Sequence, residues 1–158
     1  PPSDNENVWP ASRHAWALNE VQRFFVEDTR LGIPVDFTNE GIRGVESYRA
    51  TNLPTQLGLG HTWNRDLIYK VGRITGREGR MLGYTNVYAP ILDVGRDQRW
   101  GRYEEVYGES PYLVAELGIE MVKGMQYNHQ VAATGKHFIA YSNNKGAREG
   151  MALSLIHI

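Results

Sequence analysis

Residues 89–111 read APILDVGRDQRWGRYEEVYGESP. An apolar, strand-like run, Asn86 to Val94, passes straight into a loop holding Arg96, Asp97, Arg99, Trp100, Arg102, Tyr103, Glu104, Glu105, Tyr107 and Glu109. The loop stops at Ser110-Pro111, an N-cap followed by a proline suited to the first helical position. Three arginines, three glutamates and three aromatic rings in so short a span suit a grip on a polyhydroxylated ligand. Guanidinium and carboxylate groups take hydroxyls two at a time, and an aromatic face covers the C–H side of a sugar ring. The competing reading is an ion-paired surface loop, which contributes little energy.

Two further segments resemble that strand: Ile33 to Thr38 and Val131 to His137. Their near-continuous apolar or small character fits strands covered on both faces, as in parallel sheets. Helices lie between and before them. Arg65 to Leu82 places Leu67, Val71, Ile74 and Met81 at helical spacing behind the N-cap candidate Asn64. The helix opened by Ser110-Pro111 turns Val114, Leu117, Met121 and Met125 inward, and Arg13 to Thr29 reads as helical through Ala17, Val21, Phe24 and Phe25. These stripes are expected to be core.

Strand and helix in alternation predict parallel crossovers and an α/β fold, either a barrel or a doubly wound sheet. The strands start roughly 45–50 residues apart, against about 30 per unit in a typical barrel. The surplus sits in loops after the strands, at the face where such folds bind ligands. The strand ends there supply Asn39 and Glu40, then Arg96 to Glu105, then Lys136 and His137. A lysine and a histidine closing the small-residue run VAATG need an anionic or hydroxylated partner. The alternatives are a satisfied core histidine at His137 and a turn or helix cap at Glu40.

Composition narrows the classes. An apolar fraction of 41% with 22% charge is ordinary for one globular domain of 158 residues. A net charge of −1 with mixed signs gives no footprint for nucleic acid or an anionic membrane. The absence of cysteine removes disulfides, thiol catalysis and Cys-based zinc sites. No apolar run approaches the roughly 20 residues needed to span a bilayer. GLGHTW, residues 58–63, lacks the third glycine of a dinucleotide fingerprint, and neither a P-loop nor a GxSxG elbow occurs. The five histidines show no metal-binding spacing, so no metal or cofactor is expected. A phosphate-binding barrel would want a glycine-rich helix N-terminus, and none is seen here.

LGIPVDFTNEGIRGV (31–45), LPTQLGLGHTWNRDLI (53–68), YAPILDVGRDQRWGRYEEVYGESPYLVAELG (88–118) and VAATGKHF (131–138) resemble the N-terminal catalytic domain of glycoside hydrolase family 3. The resemblance covers about residues 31–141 and rests on RWGR and KHF in this order. It implies an α/β fold, a partial (β/α)8 TIM barrel of about the first three β/α units, truncated at both ends. Residues 1–30 would be a helical lead-in and 31–152 the partial barrel domain. LSLIHI, residues 153–158, reads as the translation of a sequencing-adapter end, with a genuine final strand as its rival.

The resemblance also implies residue roles. Arg102, Lys136 and His137 would bind sugar hydroxyls in the −1 subsite, and Glu105 would orient them. Glu40 stands where many glucosidases have Asp and some xylosidases Glu, so subsite shape should differ by one methylene. Ser110 replaces the usual Asp of GED; both residues cap helices, so no functional consequence is expected. KHF continues as IAYS without the histidine-rich loop of the family's N-acetylglucosaminidases. The implied reaction is retaining hydrolysis of a β-glucoside or β-xyloside, with a small carbohydrate as the partner. The family's nucleophile and general acid lie further along the chain. Asp93 and Asp97 do not match the nucleophile motif, so no catalytic residue is assigned and the chain alone is expected to be inactive. The alternative is a non-catalytic carbohydrate-binding protein on the same fold. The resemblance implies a periplasmic or secreted location, which the residues themselves leave open.

Overall fold

The computed structural model describes residues 11–47, 50–138 and 141–142. The elements run α1 (Ala11–Glu27), β1 (Thr38–Asn39), α2 (Gln56–Gly60), α3 (Arg65–Met81), β2 (Asn86–Val87), α4 (Pro111–Met125) and β3 (Ala132–Ala133). Single 3-10 turns occur at Tyr103–Glu105 and Tyr127–His129. The three strands form one parallel sheet in the order β1-β2-β3. Thr38, Asn86 and Ala132 lie level across it, as do Asn39, Val87 and Ala133. The chain is therefore α/β with a small parallel sheet.

The strands are much shorter than the apolar runs predict, and the reason is where their backbone groups go. Beyond β2, Pro90 has no N–H to donate, and the Ala89–Pro90 peptide is cis. Ile91 exchanges both its backbone bonds with the side chain of Gln56, at 3.0 Å each, instead of with a strand. Pairing resumes only as a bridge between Ile91 and Lys136, with Leu92 N–H donating to Lys136 O. Before β1, Val35 turns its N–H and C=O to the Gln22 amide of α1, at 2.6 and 3.0 Å. Residues expected as strand are thus tied off by side-chain amides, which satisfy the backbone equally well.

α3 and α4 pack against each other and form the main core. Their caps are as expected. Asn64 accepts from Leu67 N–H at 3.0 Å, and Ser110 accepts from Leu113 N–H at 3.4 Å with Pro111 at the start of the helix. α4 buries Val114, Leu117, Met121 and Met125 as its periodicity predicts. Each such side chain contributes roughly 1.5–3 kcal/mol relative to exposure. α3 differs. Ile74 and Met81 face outward, Met81 at 73% exposure, and the buried face is Ile68, Val71, Gly72, Thr75, Gly76 and Gly79. Glycines hold that face because the helices nearly touch. A Cβ on Gly72 would lie 2.6 Å from Met121 O, and one on Gly76 2.4 Å from Met125 O.

α1 also departs from expectation. Val21, Phe24 and Phe25, expected as core, are exposed, Phe24 at 52%. The helix docks by polar bonds instead: His14 Nε2 lies 3.0 Å from Leu82 O at the end of α3, and Gln22 holds Val35. Among the described residues nothing covers the phenylalanine face. The 153–158 tail and residues 1–10 lie outside the described residues. No helix among those described is long and apolar enough to cross a membrane.

Candidate functional site

The level register puts three strand ends side by side at the C-terminal edge of the sheet. Glu40 directly follows β1, Asp93 lies in the segment after β2, and Lys136-His137 follows β3. Asn39 does not join them. Its buried amide closes the turn onto Glu46, accepting from Glu46 N–H at 2.9 Å and donating to Glu46 O at 3.2 Å.

The bridge at Ile91 brings Lys136 beside β2, and its ammonium donates to Glu40 Oε2. The Lys136 side chain is mostly covered, whereas Glu40 is about half exposed. The peptide joining Lys136 to His137 is cis. Lys136 lies 6.0 Å from the Tyr88 ring, and His137 goes to a different set of partners.

Arg102 is the centre of that second set. Its Nε donates to Glu105 Oε1 at 2.9 Å and its Nη2 to Glu105 Oε2, a two-pronged pair on one 3-10 turn. Its Nη1 lies 2.9 Å from His137 Nε2. Both side chains of the Arg102–Glu105 pair are largely covered. The bond to Glu105 raises Arg102 above the usual guanidinium range, with a smaller contribution from Tyr141. His137 in turn packs edge-on against Tyr141, ring centroids 4.6 Å apart, and Tyr141 also lies edge-on to Trp100.

Asp93 completes the cluster. One oxygen, Oδ2, is 3.0 Å from His137 N and 2.8 Å from His137 Nδ1, and the side chain is 2% exposed. The sequence reading sets this residue aside as a nucleophile and gives it no other role, and it passes over Tyr141. A carboxylate inside the apolar run YAPILDVG was the available signal, since burying one demands donors.

The charged loop itself divides. Trp100 and Tyr107, expected as sugar-facing rings, are buried core, with Trp100 beside Ile91 and Val106. Burial drives the Tyr107 hydroxyl well above its ordinary pKa. Arg99 pairs with Asp97 and Glu104 with Arg43, both on the surface. Tyr103 donates to Glu109 at 2.7 Å. It lines a cavity of about 610 Å³ with His61, Trp63, Glu109 and Leu113. That cavity gathers neither Arg102 nor Lys136, so the convergent charges mark the better candidate site.

This cluster is an array of two cations, three carboxylates and an imidazole, suited to binding several hydroxyls at once. Among the described residues no group of three or more His, Asp or Glu side chains is arranged to hold a metal.

The sequence profile of the Glycosyl hydrolase family 3 N-terminal domain matches residues 6–154. The chain belongs to that family. It is 40% identical over 135 residues to a beta-xylosidase of Formosa agariphila, covering 77% of this chain and 18% of that protein. To a periplasmic beta-glucosidase of Salmonella typhimurium it is 37% identical, covering 84% of this chain and 17% of that protein. Among solved structures, a mutant beta-glucosidase from Listeria innocua in complex with laminaribiose superposes with a TM-score of 0.79 at 32% identity, covering 89% of this chain and 20% of that one. A beta-glucosidase from Erythrobacter marinus gives 0.81 at 29%, covering 87% of this chain and 19% of that one. The chain therefore spans about a fifth of the length of these family 3 relatives.

Proposed function

We propose that this chain is the sugar-holding part of a retaining β-glycosidase acting on β-glucosides or β-xylosides. The observation that carries the reading is the convergence of Glu40, Lys136, His137, Arg102 and Glu105 at the C-terminal ends of three parallel strands. In this reading Arg102, Lys136 and His137 bind hydroxyls in the −1 subsite, Glu105 holds Arg102 in place, and Glu40 closes the far side of the ring.

The chain then represents about three β/α units of a (β/α)8 barrel. The exposed Tyr88, Leu92 and Phe138 beside the strands support this, because a barrel would cover them. The nucleophile and general acid belong to the rest of the protein. Hydrolysis proceeds in two displacements. A carboxylate attacks the anomeric carbon as the leaving oxygen takes a proton from the acid, and water then releases the sugar. Held hydroxyls contribute where their bonds tighten in the transition state.

The test is to express the full-length protein and assay aryl β-glucoside and β-xyloside. Turnover of either with retained anomeric configuration supports the proposal. Binding of the sugar without turnover would replace it with a non-catalytic carbohydrate-binding protein on the same fold.

A further inference from the structure

An arginine has donors and no acceptor. The 2.9 Å contact between Arg102 Nη1 and His137 Nε2 therefore requires Nε2 to accept. An imidazole accepting at Nε2 is neutral and carries its proton on Nδ1. That proton points at Asp93 Oδ2, 2.8 Å away, the same oxygen that takes the His137 main-chain N–H. With the Asp93 side chain almost wholly buried, water does not compete for that oxygen.

We infer that Asp93 is a positioning residue that sets the hydrogen-bond polarity of the site. It holds His137 as the Nδ1–H tautomer, so that Nε2 is presented as a neutral acceptor beside the Arg102 guanidinium. Asp93 touches no ligand in this arrangement and acts through His137.

The consequence for recognition rests on the sugar-binding reading above. Arg102 and Lys136 can only donate, so they hold the oxygen of a hydroxyl but leave its proton unplaced. His137 Nε2 has one in-plane lone pair, which Arg102 Nη1 occupies here; a hydroxyl inserted between the two gives its proton to Nε2 and takes the freed Nη1–H on its oxygen. One hydroxyl can then be held in both directions, its oxygen by a guanidinium N–H and its proton by the imidazole. A site built in this way accepts a hydroxyl that donates. It rejects fluorine at the same carbon, which cannot.

Histidine-selective ¹⁵N labelling of the full-length protein tests the tautomer directly, with His137→Gln identifying the resonances. Wild type is expected to show a protonated Nδ1 and a bare Nε2 at neutral pH. A ring protonated at Nε2, alone or with Nδ1, overturns the inference whether or not any variant folds. Asp93→Asn, whose side-chain oxygen can still accept both N–H groups, should keep the tautomer, and Asp93→Leu should lose it. An unchanged tautomer in Asp93→Leu also overturns the inference.

In turnover, kcat/KM should fall roughly tenfold to a hundredfold in Asp93→Leu, the range for losing a group that orients a ligand-holding histidine, and recover largely in Asp93→Asn. Across a series of monodeoxyfluoro glycosides, the one fluorinated at the carbon facing His137 should lose its penalty in His137→Gln. If wild type hydrolyses neither glycoside, the proposed function fails, while the tautomer measurement still decides the role of Asp93.

Discussion

Glu40 and Lys136, 96 positions apart in the chain, meet as an ion pair because β1 and β3 flank β2 in level register. The pair is half open to water through Glu40, so it contributes little stability. Lys136→Met should change the unfolding free energy of the full-length protein by less than about 1 kcal/mol. It should nevertheless lower kcat/KM by at least roughly tenfold, because a charge-assisted hydroxyl contact is worth about 1.5–3 kcal/mol. Thermal unfolding and glycoside kinetics on the same sample separate the two effects.

Glu40→Asp withdraws the carboxylate by one methylene and leaves room at the edge of the ring. The ratio of kcat/KM for β-glucoside over β-xyloside should rise by roughly tenfold, since one methylene in a binding site discriminates by about 1–3 kcal/mol. An unchanged ratio would remove Glu40 from the specificity-setting wall.

Arg102→Ala should cut kcat/KM by roughly tenfold to a thousandfold, and Arg102→Lys should rescue little of it. A lysine cannot hold Glu105 with two prongs and reach His137 at once. The bond to Glu105 raises the folded-state pKa of Arg102, so its contribution is complete below the unfolded value and is lost only as pH rises through the folded one. The pH–rate profile should accordingly carry no alkaline limb from this residue below about pH 11. Rates for both variants close to wild type would reassign Arg102 to structure.

The seam between α3 and α4 gives a stability test independent of function. Gly76→Ala puts a Cβ 2.4 Å from Met125 O, so one helix must shift. The expected net loss is about 1–3 kcal/mol in spite of alanine's better helix propensity. Gly58→Ala on α2, where the new Cβ meets Thr55 Oγ1 at an ordinary 3.4 Å, should stay within about 0.5 kcal/mol of wild type. Urea unfolding of the two variants side by side distinguishes a packed seam from a general intolerance of alanine.

What could be read from the sequence follows a physical line. α4 was legible because Ser110-Pro111 and a clean apolar stripe specify one helix without help from elsewhere. The buried face of α3 was not, because glycine carries no hydropathy signal and its role exists only once α4 lies against it. Strand length was overestimated for a similar reason. The backbone partners of Ile91 and Val35 are side-chain amides from Gln56 and Gln22, far away in sequence. Glu40, Arg102, Glu105, Lys136 and His137 were legible as charges at strand ends. Their division into a Glu40–Lys136 pair and a chain through Arg102 was not, and Asp93 was hidden among apolar neighbours.

The 158-residue chain by itself leaves Phe24, Phe25, Leu31, Ile33 and Phe138 exposed, Phe138 at 95%. Exposed large apolar side chains of this kind bind hydrophobic dyes and promote association. The isolated chain should therefore enhance anilinonaphthalene sulfonate fluorescence strongly at neutral pH and elute from a sizing column as aggregate. A monomer with no dye response and a cooperative thermal transition would contradict this.

The division of the 96–109 loop has an evolutionary consequence. Trp100, Val106 and Tyr107 anchor the loop in the core, while Arg96, Gln98 and Arg99 point to solvent. Mutation can therefore explore the outer rim without dislodging Arg102, whose position is inherited from the anchor. A lineage can diversify what it meets at the rim while the placement of Arg102 is passed on unaltered.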